Sequence, residues 1–73
     1  MVFKGVGSED PEQFWFVLTS VWNADRITDD NIRKATLVSV LQDRALTWYI
    51  KYSSDHRTAG TTEMQIELKK EFS

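Results

Sequence analysis

The chain has 73 residues, with one histidine, one proline, three glycines and no cysteine. That length builds one compact domain at most, which excludes a two-domain enzyme; without cysteine and with a lone histidine, a disulfide framework and a protein-ligated zinc centre are excluded too. Nine Lys and Arg against eleven Asp and Glu leave −2 at neutral pH, the wrong balance for a dedicated nucleic-acid binder.

At 41% hydrophobic and 27% charged, the composition is that of a globular fold, and apolar packing has to stabilise it alone. Four phenylalanines, three tryptophans and two tyrosines supply large buried areas on few residues. The longest apolar run, Phe14 to Leu18, is far short of the ~20 residues of a membrane span, and Met1 to Gly5 lacks the apolar stretch of a signal peptide. The expectation is an intracellular, cytoplasmic protein with no membrane span. Charge is unevenly placed. Glu9, Asp10, Glu12, Asp25, Asp29 and Asp30 outnumber Lys4 and Arg26 up to residue 31, whereas beyond it seven bases face five acids.

Residues 1–9 read as an extended arm: Val2 to Gly7 alternates apolar with other residues and is interrupted by glycine, with Phe3 as the anchor. Helix one is expected at about 11–24, with Asp10 as cap and Pro11 in the first helical position. At 100° per residue, Phe14, Trp15, Val17, Leu18, Val21 and Trp22 share one broad sector. Phe16 falls on the opposite, polar face. Helix two, about 29–42, starts with a Thr28 hydroxyl cap and two carboxylates at the positive end of the dipole. Its second half, Leu37, Val38, Val40 and Leu41, is apolar nearly all round and should be enclosed, while Ala35 and Ser39 leave one face with small side chains.

Helix three, about 44–54, is expected to take Asp43 as its cap and to present Ala45, Trp48, Tyr49 and Tyr52 on one side, widened by Leu46 and Ile50. Ser53 to Thr61 reads as a loop. Helix four, about 62–72, follows a Thr61 or Thr62 cap and aligns Met64, Leu68 and Phe72 on one stripe. Ile66 lies about 160° from Leu68 and faces out. The fold class is therefore all-α: one domain over 1–73, a compact orthogonal bundle of four helices, or five with a short turn, crossed by the N-terminal arm.

Chemistry-bearing patterns are weak. Gly5-Val6-Gly7 precedes a helix but has no strand before it and no Gly-Lys-Ser/Thr after it, so it reads as an arm and not a phosphate loop. Ser53-Ser54-Asp55-His56 places a hydroxyl, a carboxylate and an imidazole side by side on a loop, whereas nucleophilic triads are assembled from separated segments on a rigid frame. Asp29 and Asp30 read as helix-capping charge, since no calcium-loop spacing surrounds them. The bases Arg33, Lys34, Arg44, Lys51, Arg57, Lys69 and Lys70 are scattered, and the Trp48-Tyr49-Tyr52 stripe reads as core and not as a base-stacking platform. No catalytic, metal or cofactor residue is assigned.

The order Phe3-x-Gly5, Asp10-Pro11-x-x-Phe14, Leu41-Gln42-Asp43-Arg44-Ala45-Leu46-Thr47-Trp48-Tyr49 and Leu68-x-x-x-Phe72 resembles the N-terminal lobe of the Gag capsid domain of Ty3/Gypsy long-terminal-repeat retrotransposons, over about residues 3–72. That family opens on F-x-G, has a Leu-x-Gly-x-Ala-x-x-Trp-Trp/Tyr core and closes on Leu-x-x-x-Phe. The chain departs from it at Asp43, where the family often has Gly, and an Asp cap is expected to replace the tight turn. The resemblance implies a core built on Phe14, Leu41, Ala45, Trp48, Tyr49, Leu68 and Phe72. It also implies a lobe that would be followed by a second helical lobe and that forms virus-like shells with copies of itself, RNA being packaged by other Gag regions.

Two functions follow as expectations. The first is a structural capsid lobe making protein–protein contacts, with Phe16 and Ile66 as candidate interface residues and the opposite charge of the two halves orienting neighbours. The alternative is a domesticated adaptor, similar to Arc-like cellular Gag proteins, that binds short peptides in an apolar groove lined by Phe3, Trp15 and Trp22.

Overall fold

The computed structural model describes residues 1–72 and has four helices: α1 Pro11–Ala24, α2 Asp30–Val40, α3 Asp43–Asp55 and α4 Thr61–Phe72. The all-α expectation holds. α1 starts as its sequence dictates, with the Asp10 carboxylate accepting from Glu12 N at 2.9 Å and Pro11 in the first turn. It ends in a Schellman motif: Ile27 N donates to Trp22 O at 2.8 Å and Arg26 N to Asn23 O at 3.2 Å. Arg26 takes the left-handed position, φ 56°, that glycine usually fills.

α2 is shorter than expected at both ends. The cap is the Asp29 carboxylate, which accepts from Asn31 N at 2.8 Å, and not the Thr28 hydroxyl. The helix stops at Val40 because Leu41 turns extended, φ −91° and ψ 139°, and pairs in parallel with Phe3. Phe3 N donates to Val40 O at 2.8 Å and Gln42 N to Phe3 O at 2.9 Å, so the arm satisfies groups that the helix end leaves open. Lys4 O then accepts from Ala45 N at 3.0 Å in the first turn of α3.

Asp43 does not cap α3. The cap position belongs to Gln42, which makes no side-chain capping bond, and Asp43 is the first helical residue with φ 51°. Aspartate tolerates this left-handed region better than most residues. Asp43 thus holds a positive φ that glycine adopts more readily. α3 runs through Asp55, which takes Ser53 to Asp55 out of the expected loop.

α4 begins at Thr61, and neither threonine acts as its cap. Thr61 instead donates from N, at 3.2 Å, and from Oγ1, at 2.6 Å, to the carboxylate of Asp30 at the start of α2. The acidic pair therefore serves two helices. Asp29 caps its own, and Asp30 holds the beginning of another 31 positions along the chain.

α4 packs on both α1 and α2. The core is formed by Phe3, Phe14, Trp15, Leu18, Trp22, Leu37, Leu41, Ala45, Met64 and Leu68, with Trp48, Tyr49 and Phe72 packed partly buried against it. Val17, Val21 and Ile50, expected in apolar sectors, are exposed. The enclosure expected for α2 holds for Leu37 and Leu41 but is only partial for Val38 and Val40. Ala35 and Ser39 face outward with no helix over them.

Candidate interaction surface

The motifs that carry the family resemblance meet at one place. Phe3 stacks on Phe14 with centroids 4.8 Å apart and meets Phe72 edge-on at 5.5 Å, while Trp48 also meets Phe72 edge-on at 6.2 Å. Gly5, at φ 79°, lies so close to Phe72 and to the Ala45 backbone that a Cβ would fall 2.6 Å from Phe72 Cε1 and 3.1 Å from Ala45 N. F-x-G is thus a fastening device: the aromatic enters the core and the glycine lets the backbone pass.

An anion cradle does exist in this arm, and it is already filled. The N–H groups of Lys4, Gly5 and Val6 all donate to the Glu9 carboxylate, at 2.9, 2.8 and 3.1 Å. Three consecutive donors around one anion form a nest. Sequence reasoning missed Glu9; the signal was a carboxylate a few residues beyond a glycine-interrupted stretch.

Phe3, Trp15 and Trp22, the candidate groove residues, are 2%, 1% and 3% exposed. They are core, and no single groove joins them: Phe3 borders a depression of about 360 Å³ between the arm and α1, Trp15 one of about 250 Å³ between α1 and α4, and Trp22 borders neither. Trp22 Nε1 donates to Thr36 Oγ1 at 2.7 Å, with the Arg33 guanidinium 5.2 Å from the ring centroid, whereas the buried Trp15 Nε1 has no acceptor. The candidate interface residues are where periodicity put them: Phe16 is 74% and Ile66 50% exposed. Val17 and Val21 are exposed on the same helix but about 100° and 140° round its axis from Phe16, so they belong to a different part of its surface.

The hydroxyl, carboxylate and imidazole near residue 54 do not assemble. Ser53 Oγ donates to Tyr49 O at 2.8 Å, and His56 Nδ1 lies 3.2 Å from Tyr52 O with its ring stacked on Tyr52. Burial raises the phenol of Tyr49 above its usual value. Tyr52 is raised by burial first and then by the nearby charges of Glu63 and Glu67.

A raised phenol pKa means that the fold favours the neutral form, so this contribution is complete below the unfolded value near 10.0 and is lost as pH rises through the higher folded value. Thermal unfolding between about pH 9 and about pH 11.5 should show a larger fall in Tm for the parent than for the Tyr49→Phe/Tyr52→Phe variant. Equal falls would mean that other groups titrate.

Among the described residues no group of three or more His, Cys, Asp or Glu is placed to hold a metal, and no helix is long and apolar enough to cross a membrane. No family model matches the chain, and neither a curated protein nor a solved structure is similar to it.

Proposed function

We propose that the domain is a structural capsid lobe of Gag type, a passive block whose outer face makes repeated protein–protein contacts in a virus-like shell. The observation that carries this reading is Phe16, a phenylalanine left 74% exposed on the polar face of α1. A large apolar side chain held out from a rigid helix suits an interface anchor, because symmetry multiplies one weak contact over many copies. The Gag assignment comes from the motif order, and the convergence of Phe3, Gly5, Ala45, Trp48 and Phe72 supports it by giving each motif residue a packing task. The contrast in charge between the two halves would orient neighbours more than tighten them.

The test is negative-stain imaging of particles formed by the protein expressed from its full reading frame. Phe16→Asp and Ile66→Asp should each lower particle yield at least tenfold. Both sites are exposed, so the stability of the domain should change by no more than about 0.5 kcal/mol. Parental yields would remove the interface role, and absence of particles from the parent would remove the capsid reading.

A further inference from the structure

Trp48 and Tyr52 of α3 and His56 just beyond its end stand four residues apart, and their rings form one continuous stack: Trp48 on Tyr52 at 5.2 Å and 19°, Tyr52 on His56 at 4.4 Å and 18°. Rings stacked face to face use their faces on one another and turn their edges sideways, as an apolar strip. α4 carries Glu63, Glu67 and Glu71 at the same interval. Both rows line a single groove of about 510 Å³, together with Lys51 and Asp55. Four carboxylates thus share the groove with one ammonium.

Little neutralises them. Lys70 pairs with Glu67 at 3.6 Å between side chains 70% and 43% exposed, a loose contact, and among the described residues Asp55, Glu63 and Glu71 form no ion pair. Their field is felt inside the groove, where Glu63 and Glu67 help to hold the Tyr52 phenol protonated. An apolar strip facing a row of negative charge suits long aliphatic stems with cationic heads, which is the chemistry of lysine and arginine.

We propose that the α3–α4 groove docks an extended polypeptide segment with lysine or arginine at alternate positions, stems along Trp48, Tyr52 and His56 and heads on Glu63, Glu67 and Glu71. The spacing fits this partner. Carboxylates four residues apart on a helix are ~6 Å apart, and alternate side chains of an extended chain repeat every ~6.6 Å. Nucleic acid is disfavoured because its phosphates would meet the carboxylates. The inference stands on the groove alone, whether or not the domain is a capsid lobe.

The experiment titrates the 73-residue chain with Lys-Ala-Lys-Ala-Lys, Lys-Ala-Ala-Lys-Ala-Ala-Lys and Glu-Ala-Glu-Ala-Glu peptides, followed by amide and indole NMR shifts. The alternate-lysine peptide should bind most tightly, move the signals of Trp48, Tyr52, His56 and α4, and weaken between about 25 mM and about 150 mM salt. Glu63→Gln/Glu71→Gln should reduce its affinity about tenfold with Tm retained, since both glutamates are exposed. Undiminished binding to that variant, equal binding of the wider lysine spacing or of the acidic peptide, shifts on other faces, or no shift at low salt would each overturn the proposal. The peptide comparison rests on the unaltered chain and so decides the matter even if the variant is destabilised. Self-association of the chain that the variant abolishes would assign the groove to a second copy and overturn the peptide assignment.

Discussion

Gly5→Ala should bring the domain to the edge of unfolding, while Gly7→Ala, two residues further on, should be nearly silent. Two costs add at Gly5. Its φ of 79° lies where an L side chain costs ~1–2 kcal/mol. The new methyl would also stand 2.6 Å from Phe72 Cε1 and 3.1 Å from Ala45 N. To make room, the half-buried Phe72 ring has to shift outward, giving up its edge contacts with Phe3 and Trp48, and the Ala45 N–H is tied to Lys4 O at 3.0 Å. Overpacking of this kind costs ~1–3 kcal/mol, so the sum is about 2–5 kcal/mol. A domain of this size has only ~4–10 kcal/mol in all. Urea unfolding should show a large drop in midpoint, or a chain already unfolded at room temperature. At Gly7 an added Cβ would meet nothing within 4 Å, and the change should stay within ~0.5 kcal/mol. Equal effects at the two glycines would mean that loss of backbone freedom, and not the tight passage under Phe72, sets the cost.

Why Gly5 matters was half legible in the sequence. The F-x-G opening could be recognised and Phe3 named as an anchor, because a phenylalanine in a short apolar arm has nowhere to go but onto the bundle. The partner of the arm could not be read, since an extended pairing with Leu41 depends on how α2 ends, and nothing local marks that end. Leu41 continues the apolar pattern of α2, so periodicity carried the helix past Val40. Tertiary pairing overrode it. α1 was legible almost to the residue for the opposite reason, as Asp10 and Pro11 act on backbone groups within their own first turn.

The candidate surfaces divide along the same line. Phe16 and Ile66 were placed outward correctly because a single helical axis fixes their angle to the buried stripe. Val17 and Val21 were assigned inward because the wheel gives direction but not the width of the neighbour, and α4 covers less of α1 than the apolar sector spans. A groove shared by Phe3, Trp15 and Trp22 follows only from the likeness to Arc-like adaptors, and mutual packing keeps the three from forming one, with Trp15 edge-on to Trp22 at 5.8 Å and to Phe14 at 5.9 Å. The aromatic ladder of α3 was read correctly as packing against the bundle along Trp48 and Tyr49, but its continuation to His56 lay in a segment assigned to a loop.

Asp30→Ala should cost about 3 kcal/mol, more than a solvent-facing residue at a helix start ordinarily does. Asp30 is itself exposed, but what it holds is not: Thr61 is 5% exposed, and its N–H and hydroxyl both end on the Asp30 carboxylate. Removing the acceptor leaves two donors without a partner in a site that water barely reaches, at ~1–3 kcal/mol each when fully buried. The loss of negative charge at the beginning of two helices adds ~0.3–1 kcal/mol for each. Asp30→Asn keeps one carbonyl oxygen for the Thr61 hydroxyl but loses the charge and the acceptor of the Thr61 N–H, and should cost about 2 kcal/mol. Urea unfolding of the three proteins measures the ladder, and the Thr61 amide proton shift reports whether its bond is intact. The distinctive consequence lies in where stability is lost. Because the bond spans 31 positions, amide exchange should accelerate in the first turn of α4 and in the preceding residues 56–60, beyond any change in the first turn of α2, which retains its own cap at Asp29. Faster exchange confined to α2 would make Asp30 an ordinary first-turn acid and leave the start of α4 to be held by packing around Met64 and Leu68 alone.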